Sequence, residues 1–203
     1  MNRIVIASNN PGKLRELSAL LEPLGIEALP QSEFAVTEAD EPHLAFLENA
    51  LAKARHAASM TSLPALADDS GLCVGALFGE PGVHSAYYAG KEGGRAERDA
   101  RNNAKLIEAL QGADDRRAYY YCVLVLARSA ADPAPLVADA TWHGEIALQP
   151  RGNGGFGYDP HFVIPGRGLT AAQLAAPEKN RLSHRGQALA ALAAKLRSER
   201  PGR

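Results

Sequence analysis

Pro64 is followed by Ala65-Leu66-Ala67-Asp68-Asp69-Ser70-Gly71-Leu72, an apolar run into which two adjacent carboxylates are set. A short apolar run bounded by proline reads as a buried strand. A carboxylate taken out of water costs free energy unless cations or hydrogen-bond donors meet it. Two solutions are open to the fold. It can end the strand at Asp68 and let Asp68-Asp69-Ser70-Gly71 close it as a polar Asx turn. Alternatively, it can bring a cation to the acids. Hard carboxylate oxygens suit Mg2+, which takes one or two of them and fills its shell with water and phosphate oxygens.

The surrounding sequence frames this strand in an α/β pattern. Arg3 to Ser8 is β-branched and continuous, as in a strand buried on both faces. Asn9-Asn10-Pro11-Gly12 breaks it, and Leu14, Leu17, Leu20, Leu21 and Leu24 then recur at helical spacing until Gly25. Ile26 to Leu29 predicts a second strand and Glu33 to Pro42 an acidic loop. A helix should follow with Leu44, Leu47, Leu51, Ala54 and Ala58 on its buried face, leading into the Pro64–Asp68 strand. This β-α-β-α-β order predicts helices packed on a central sheet. Gly75 to Gly94 reads as irregular, and Arg95 to Leu110 as a charged surface helix. Strands are expected at Tyr119–Ala127 and Leu136–Trp142, paired as a hairpin, with a third at Glu145–Gln149. His161–Pro165 reads as a short strand, Leu169–Ala175 as a short helix, and Ser183–Arg197 as the last helix. The change of style at mid-chain predicts one domain over 1–203 built as two lobes around a cleft, without a separable linker.

Composition excludes several classes of function. With 46% hydrophobic and 22% charged residues the 203-residue chain has the means to fill a core. Its 22 basic and 23 acidic residues give a net charge of −1, without the broad positive surface that a nucleic-acid polymer or an anionic membrane calls for. No apolar run approaches the length of a membrane span, and the stretch at the N-terminus is too short for a secretory signal. Cys73 and Cys122 stand far apart, so reduced thiols in a cytoplasmic protein are expected rather than a zinc site or a disulfide framework.

Four further segments could carry chemistry. Ser8 to Lys13, "SNNPGK", sits where a strand passes into a helix, a place where backbone N–H groups and the helix dipole attract phosphate. The competing reading is an ordinary N-cap with proline in the first turn. Glu38, Asp40 and Glu41 add acids before the second helix, either as a solvated loop or as metal ligands. Gly152 to Phe162 surrounds Phe156 and Tyr158 with glycines, so the backbone can approach a flat ligand and aromatic faces can stack on it. Lys179, His184 and Arg185 gather near the last helix, where positive charge at a helix N-terminus invites an anion or an acceptor-rich base. Glu48, Asn49, Lys53 and His56 ride on the second helix, with Lys53 directed either to the cleft or to a solvated Glu–Lys face.

In combination these segments resemble the inosine-triphosphate/xanthosine-triphosphate pyrophosphatase family, house-cleaning enzymes for non-standard purine nucleotides. The resemblance spans nearly the whole chain. It rests on Ser8, Asn10 and Lys13 of "SNNPGK", then on "ENALAKARHAA", "LADDSGLCV", "PGVHSAYYAG", "GGFGYDPHFVIP" and "EKNRLSHRGQAL" in the family's order and spacing. The segment 91–103, "KEGGRAERDARNN", belongs to none of these motifs. The resemblance implies an elongated mixed α/β fold, a central sheet flanked by helices with the active site between two lobes, and a homodimer. It implies Mg2+-dependent hydrolysis of dITP, ITP and XTP to the monophosphate and pyrophosphate. Asp69 would be the catalytic base and a metal ligand, supported by Asp68, with Ser70 beside the substrate. Ser8, Asn9, Asn10, Pro11, Gly12 and Lys13, with Lys53, would hold the phosphates. Phe156, Gly157, Tyr158, Asp159, Lys179, His184 and Arg185 would surround the nucleoside. Asp40 or Glu41 would supply a second metal ligand.

On that reading, selectivity follows from the purine edge. Hypoxanthine and xanthine present an O6 acceptor where adenine presents an N6 donor. Donors such as His184 or Arg185 would pair with O6 and oppose the adenine amine. Two rival functions remain at this level: a pyrophosphatase for other modified nucleotides, pyrimidines included, and a non-catalytic nucleotide-binding module.

Overall fold

The computed structural model describes residues 2–37 and 39–198. Met1, Glu38 and residues 199–203 lie outside these, as does the side chain of Leu20. The first third follows the expected order. Strand β1 is Arg3–Ile6, helix α1 Pro11–Leu21, β2 Glu27–Pro30, α2 Phe46–Thr61 and β3 Ala65–Val74. Further on come α3 Arg95–Ala109, β4 Arg117–Ala127, β5 Leu136–Ile146, the two-residue β6 Phe162–Val163, α4 Ala176–Leu182 and α5 His184–Ser198. The strands form one six-stranded sheet in the order β2-β1-β3-β4-β5-β6. Strand β1 lies between β2 and β3 and is parallel to both, whereas β6 is antiparallel to β5, so the sheet is mixed as expected.

The chain condenses into two units. One comprises Met1–Asp69, Cys122–Ala140 and Arg185–Arg203; the other comprises Ser70–Tyr121 and Thr141–His184. Each has its own core. In the first, Ile4, Ile6 and Leu66 of the sheet pack with Leu17 and Leu21 of α1 and with Leu189 and Leu192 of α5. In the second, Leu72, Tyr120, Trp142 and Phe162 pack with Leu106 and Leu110 of α3. The boundary passes through β3, β4 and β5, each of which gives residues to both cores. Among the described residues no helix is long and apolar enough to cross a membrane, and both cysteines are buried free thiols.

Three departures from the sequence reading have physical causes. The first concerns β3, which does not stop at Asp68. It continues for ten residues through Asp69, Ser70 and Gly71 to Val74, so no turn closes it at the acids. The second concerns α2. Its buried residues are Asn49, Ala50, Lys53, Ala54, Ala57 and Ala58, whereas Leu44 precedes the helix, 87% exposed, and Leu47 is 44% exposed. At 100° per residue, Leu47 and Lys53 lie about 120° apart round the helix. Turning α2 to bury Leu47 would therefore carry Lys53 away from Asp69, and the buried acid decides the rotation. The third concerns the chain after Trp142. Strand β5 runs on through Gly144 to Ile146, so no separate strand covers Glu145–Gln149. Leu169–Ala175 contributes only the 3-10 turn Ala171–Gln173, and α4 forms where no helix was expected.

Gly144 shows how tightly the second core is closed. A Cβ there would sit 2.4 Å from Phe162 Cζ and 2.7 Å from the Val163 carbonyl oxygen. Phe162 is fully buried, and the other obstacle is backbone. Gly144→Ala should therefore destabilise the protein by about 1–3 kcal/mol, the usual range for overpacking. In a chain of this size that lowers Tm by roughly 2–12 °C in differential scanning calorimetry. An unchanged Tm would show that β6 yields without cost.

Candidate active site

Successive residues of a strand point to opposite faces, so Asp68 and Asp69 cannot share an environment. Asp68 points to the side of Leu66 and the first core. Its side chain is fully buried, and a salt bridge from Lys13 of α1 meets its Oδ1. Arg185 of α5 donates from Nε to Oδ2 at 2.8 Å, and the Cys122 thiol of β4 donates to the same oxygen at 3.2 Å. The Arg185 guanidinium also pairs through Nη1 with Glu16 of α1. Burial raises the Asp68 carboxyl, but Arg185 and Lys13 more than offset this and hold it well below the ordinary carboxylate range. Asp68 is thus a permanent anion that ties β3 to α1 and α5.

Asp69 points the other way, to α2. Lys53 Nζ donates to its Oδ1 at 2.8 Å and to Glu41 Oε1 at 2.9 Å. Burial would lower the Lys53 pKa, but the two carboxylates outweigh it, so the ammonium stays protonated. For Asp69 burial is the largest effect and raises the carboxyl; Lys53 and Lys13 counter it, Glu41 reinforces it, and the net direction is upward. The two partners shift the same way because Lys53 answers to two acids while Asp69 is the more confined of them. Among the described residues, Asp69 Oδ2 is buried without a hydrogen-bond partner.

The Ser8–Lys13 segment is an N-cap. Asn10 Oδ1 accepts from Gly12 N–H at 2.9 Å and Lys13 N–H at 3.3 Å, with Pro11 in the first turn. Ser8 Oγ accepts from Asn10 N–H at 3.2 Å, and Leu14 N–H goes to the Asn10 carbonyl. The first-turn amides are therefore already used. What the segment still offers an anion is the Asn10 side-chain N–H groups, the Ser8 hydroxyl proton and the Lys13 ammonium. Ser70 follows Asp69 directly in β3 and is half-buried. Asn49 closes its bonds on both peptide groups of His43, at 3.1 Å each, and His56 bonds Thr37. Neither belongs with the acids.

The aromatic segment builds a second cluster, inside the other unit. Phe156 is half-buried, with the Arg95 guanidinium 4.6 Å and the Lys179 ammonium 4.8 Å from its ring centre. Asp159 holds this arrangement: its Oδ2 accepts from Lys179 Nζ at 2.6 Å and from Phe156 N–H at 2.8 Å. Gly155, at φ +71°, leaves room for it, since a Cβ would lie 2.0 Å from that oxygen. The Tyr158 hydroxyl donates to the Ser85 carbonyl at 2.8 Å. His184 lies flat on Tyr120, 4.7 Å between ring centres and 9° from parallel, beside Trp142 and Phe162.

The structure thus joins Lys13, Asp68 and Arg185, and separately Glu41, Lys53 and Asp69. It places Phe156, Asp159 and Lys179 together in the other unit, with His184 in the neighbouring aromatic stack. Arg185 stands on Asp68 and Glu16 rather than ready for a purine edge. Of the two candidates for a second metal ligand, both are exposed, but Glu41 shares Lys53 with Asp69. Sequence reasoning missed Glu16, Cys122, Tyr120, Arg95, Asp99 and Asn103. Only Glu16 carried a signal, one turn after Lys13 on the same helix face.

Asp68→Asn leaves Arg185 and Lys13 without their buried counter-charge, and should cost about 3–5 kcal/mol in urea denaturation at pH 7 in EDTA. The sign with pH follows from the lowered folded-state pKa. Above the unfolded value near 3.9 the stabilisation is fully present; as pH falls through that value towards the folded one it is lost. The gap between wild type and Asp68→Asn should therefore narrow below pH 4. A gap that widens on acidification would refute the pairing.

Comparison with known proteins agrees with this architecture. The model of the Ham1 family matches residues 4–195. A dITP/XTP pyrophosphatase of Nitrosomonas europaea is 65% identical over 192 residues, 95% of this chain and 93% of that protein. One from Bordetella pertussis is 62% identical over 201 residues, 99% and 94% of the two chains. Among solved structures, a HAM1 protein from Coxiella burnetii aligns with a TM-score of 0.89 at 50% identity, over 98% of this chain and all of that one. The Ham1 protein of Staphylococcus aureus aligns at 0.86 and 39% identity over the same shares. With the match reaching from β1 into α5 in sequence and across nearly every residue in structure, the chain belongs to the Ham1 family.

Proposed function

We propose that the chain is a nucleoside-triphosphate pyrophosphatase that cuts dITP, ITP and XTP to the monophosphate and pyrophosphate. It would act in the cytoplasm as a homodimer and need Mg2+. One observation carries the reading: Asp69 is held at one oxygen by a buried lysine while its other oxygen is buried and unclaimed. Leaving a carboxylate oxygen unpaired inside a protein costs free energy, and such a cost is kept where the group has work to do. Relatives named dITP/XTP pyrophosphatase at 62–65% identity supply the substrate class.

The residues fit a divalent cation. Asp69 through Oδ2, with Glu41 beside it, are the two carboxylates that Mg2+ ordinarily takes from protein. Asp68 fits less well than its position in the sequence promised, because Lys13 and Arg185 already occupy it. When bound, Mg2+ offsets charge on the triphosphate and lowers the barrier to hydrolysis.

The chain's own groups do the rest. Asp69, buried and held at one oxygen by Lys53, is the carboxylate placed to act as the base. It takes the proton from the water that attacks the α-phosphorus, as the bond to the bridging oxygen breaks and pyrophosphate leaves. Lys53, fixed between Asp69 and Glu41, has a third ammonium proton to give the phosphates, as does Lys13 beyond Asp68. Ser8 and Asn10 add neutral donors. Phe156 offers its half-buried ring to the purine, with Lys179, whose ammonium lies over that ring, and its partner Asp159 as donor and acceptor for the base. Arg185 acts mainly through Asp68, fixing the strand that aims Asp69.

The test is pyrophosphate release from ITP, dITP, XTP, GTP and ATP, with and without Mg2+. Turnover should require Mg2+ and favour the first three. Asp69→Asn should cut kcat by about 10²–10⁴-fold, the scale for losing a positioned base. Near-normal turnover in that variant would remove Asp69 from the mechanism. A preference for modified pyrimidine triphosphates would move the substrate class, and tight binding with no hydrolysis would leave only a binding module.

A further inference from the structure

The charged helix α3 contains most of the segment that no motif explains. Two of its side chains, one turn apart and so on one face, close on a single glycine. Asp99 Oδ2 accepts the Gly157 N–H at 2.9 Å. Asn103 Nδ2 donates to the Gly157 carbonyl at 2.9 Å, and to the Asp99 carbonyl at 2.8 Å. Gly157 stands at φ +62°, a conformation that other residues adopt only with strain, although nothing would obstruct a Cβ there. Backbone geometry, not space, demands the glycine.

The asparagine's orientation is set by its donors. Both Nδ2 protons face carbonyl oxygens, so a flipped amide would oppose oxygen to oxygen. The arrangement leaves Asn103 Oδ1 buried with no partner among the described residues. A structural asparagine has no reason to accept that cost for a surface loop. The neighbouring peptide is held in the same manner, since Asp159 accepts the Phe156 N–H. Arg95, one turn before Asp99 and 3.8 Å from its carboxylate, lies over the Phe156 ring. Helix α3 therefore grips two consecutive residues of the aromatic segment, by ring at Phe156 and by both peptide groups at Gly157.

We infer that Asp99 and Asn103 are positioning residues for purine binding: they clamp the Gly157 peptide and so fix the plane of the Phe156 ring. The inference rests on the reading of Phe156 as the base platform. Loss of the clamp should weaken capture of the base while leaving the phosphate groups and Asp69 untouched.

Steady-state kinetics with ITP test this, with tripolyphosphate as an inhibitor that lacks a base. Asp99→Ala and Asn103→Ala should each raise KM for ITP about 3- to 10-fold, the worth of one hydrogen bond, with kcat held within about twofold. The inhibition constant for tripolyphosphate should not move. Asp99→Asn keeps an acceptor for the Gly157 N–H and should recover most of the loss. An unchanged KM in the folded variants overturns the inference. So does a parallel rise in the tripolyphosphate constant, which would mark general loosening. If Asp99→Ala does not fold, Asn103→Ala carries the test, because alanine is the better helix former. Phe156→Ala separates the two readings. A raised KM there with none in the α3 variants rejects the clamp alone, and no rise in any of them rejects the platform beneath it.

Discussion

Everything in the first unit is arranged around the burial of one negative charge. Asp68 has no exposed side-chain surface, and an isolated carboxylate there would be prohibitively costly. Lys13 comes to it from α1 and Arg185 from α5, and Glu16 balances the second of these two cations. Two helices from opposite ends of the chain are thereby fixed against one strand. Such a cluster adds little net stability compared with an apolar core, but it tolerates no partial version, because any member left alone is an uncompensated charge. It specifies where α1, α5 and β3 stand, and hence where Asp69 points.

On the opposite face the logic reverses. Asp69 is given one cation, Lys53, and Lys53 is shared with Glu41, so the acid is not saturated. A saturated carboxylate is a structural element; an undersupplied one can still bind or take a proton. The difference between neighbours comes from strand alternation and from the helices that happen to cover each face.

The sequence was legible where chemistry is local. The α/β order, the leucine spacing of α1, the asparagine cap and the long strand β4 all follow from period and cap signals within a few residues. Turn chemistry misled at Asp68-Asp69-Ser70-Gly71, because Asx-turn propensity is weaker than the cations that make a continuous strand affordable there. The leucines of α2 misled for the same reason: one distant acid outweighed the apolar pattern. Arg185 was expected at a base and stands on Asp68, a contact between residues 117 positions apart that no spacing rule reports. The grip of α3 on Gly157 was likewise invisible, since Gly157 lies in a motif whereas Asp99 and Asn103 lie in a segment that no motif covers.

The alternation of β3 also constrains what mutation can do to this chain. Parallel pairing sets the strand's register, with Val5 opposite Ala65 and Ile6 opposite Leu66. Deleting one residue between that anchor and the acids would put Asp69 at the register position facing Arg185, and adding one would put Asp68 at the position facing Lys53. Either change would turn each carboxylate to the face that the other had occupied. The four residues from Ala65 to Asp68 thus act as a ruler whose length is fixed to the residue.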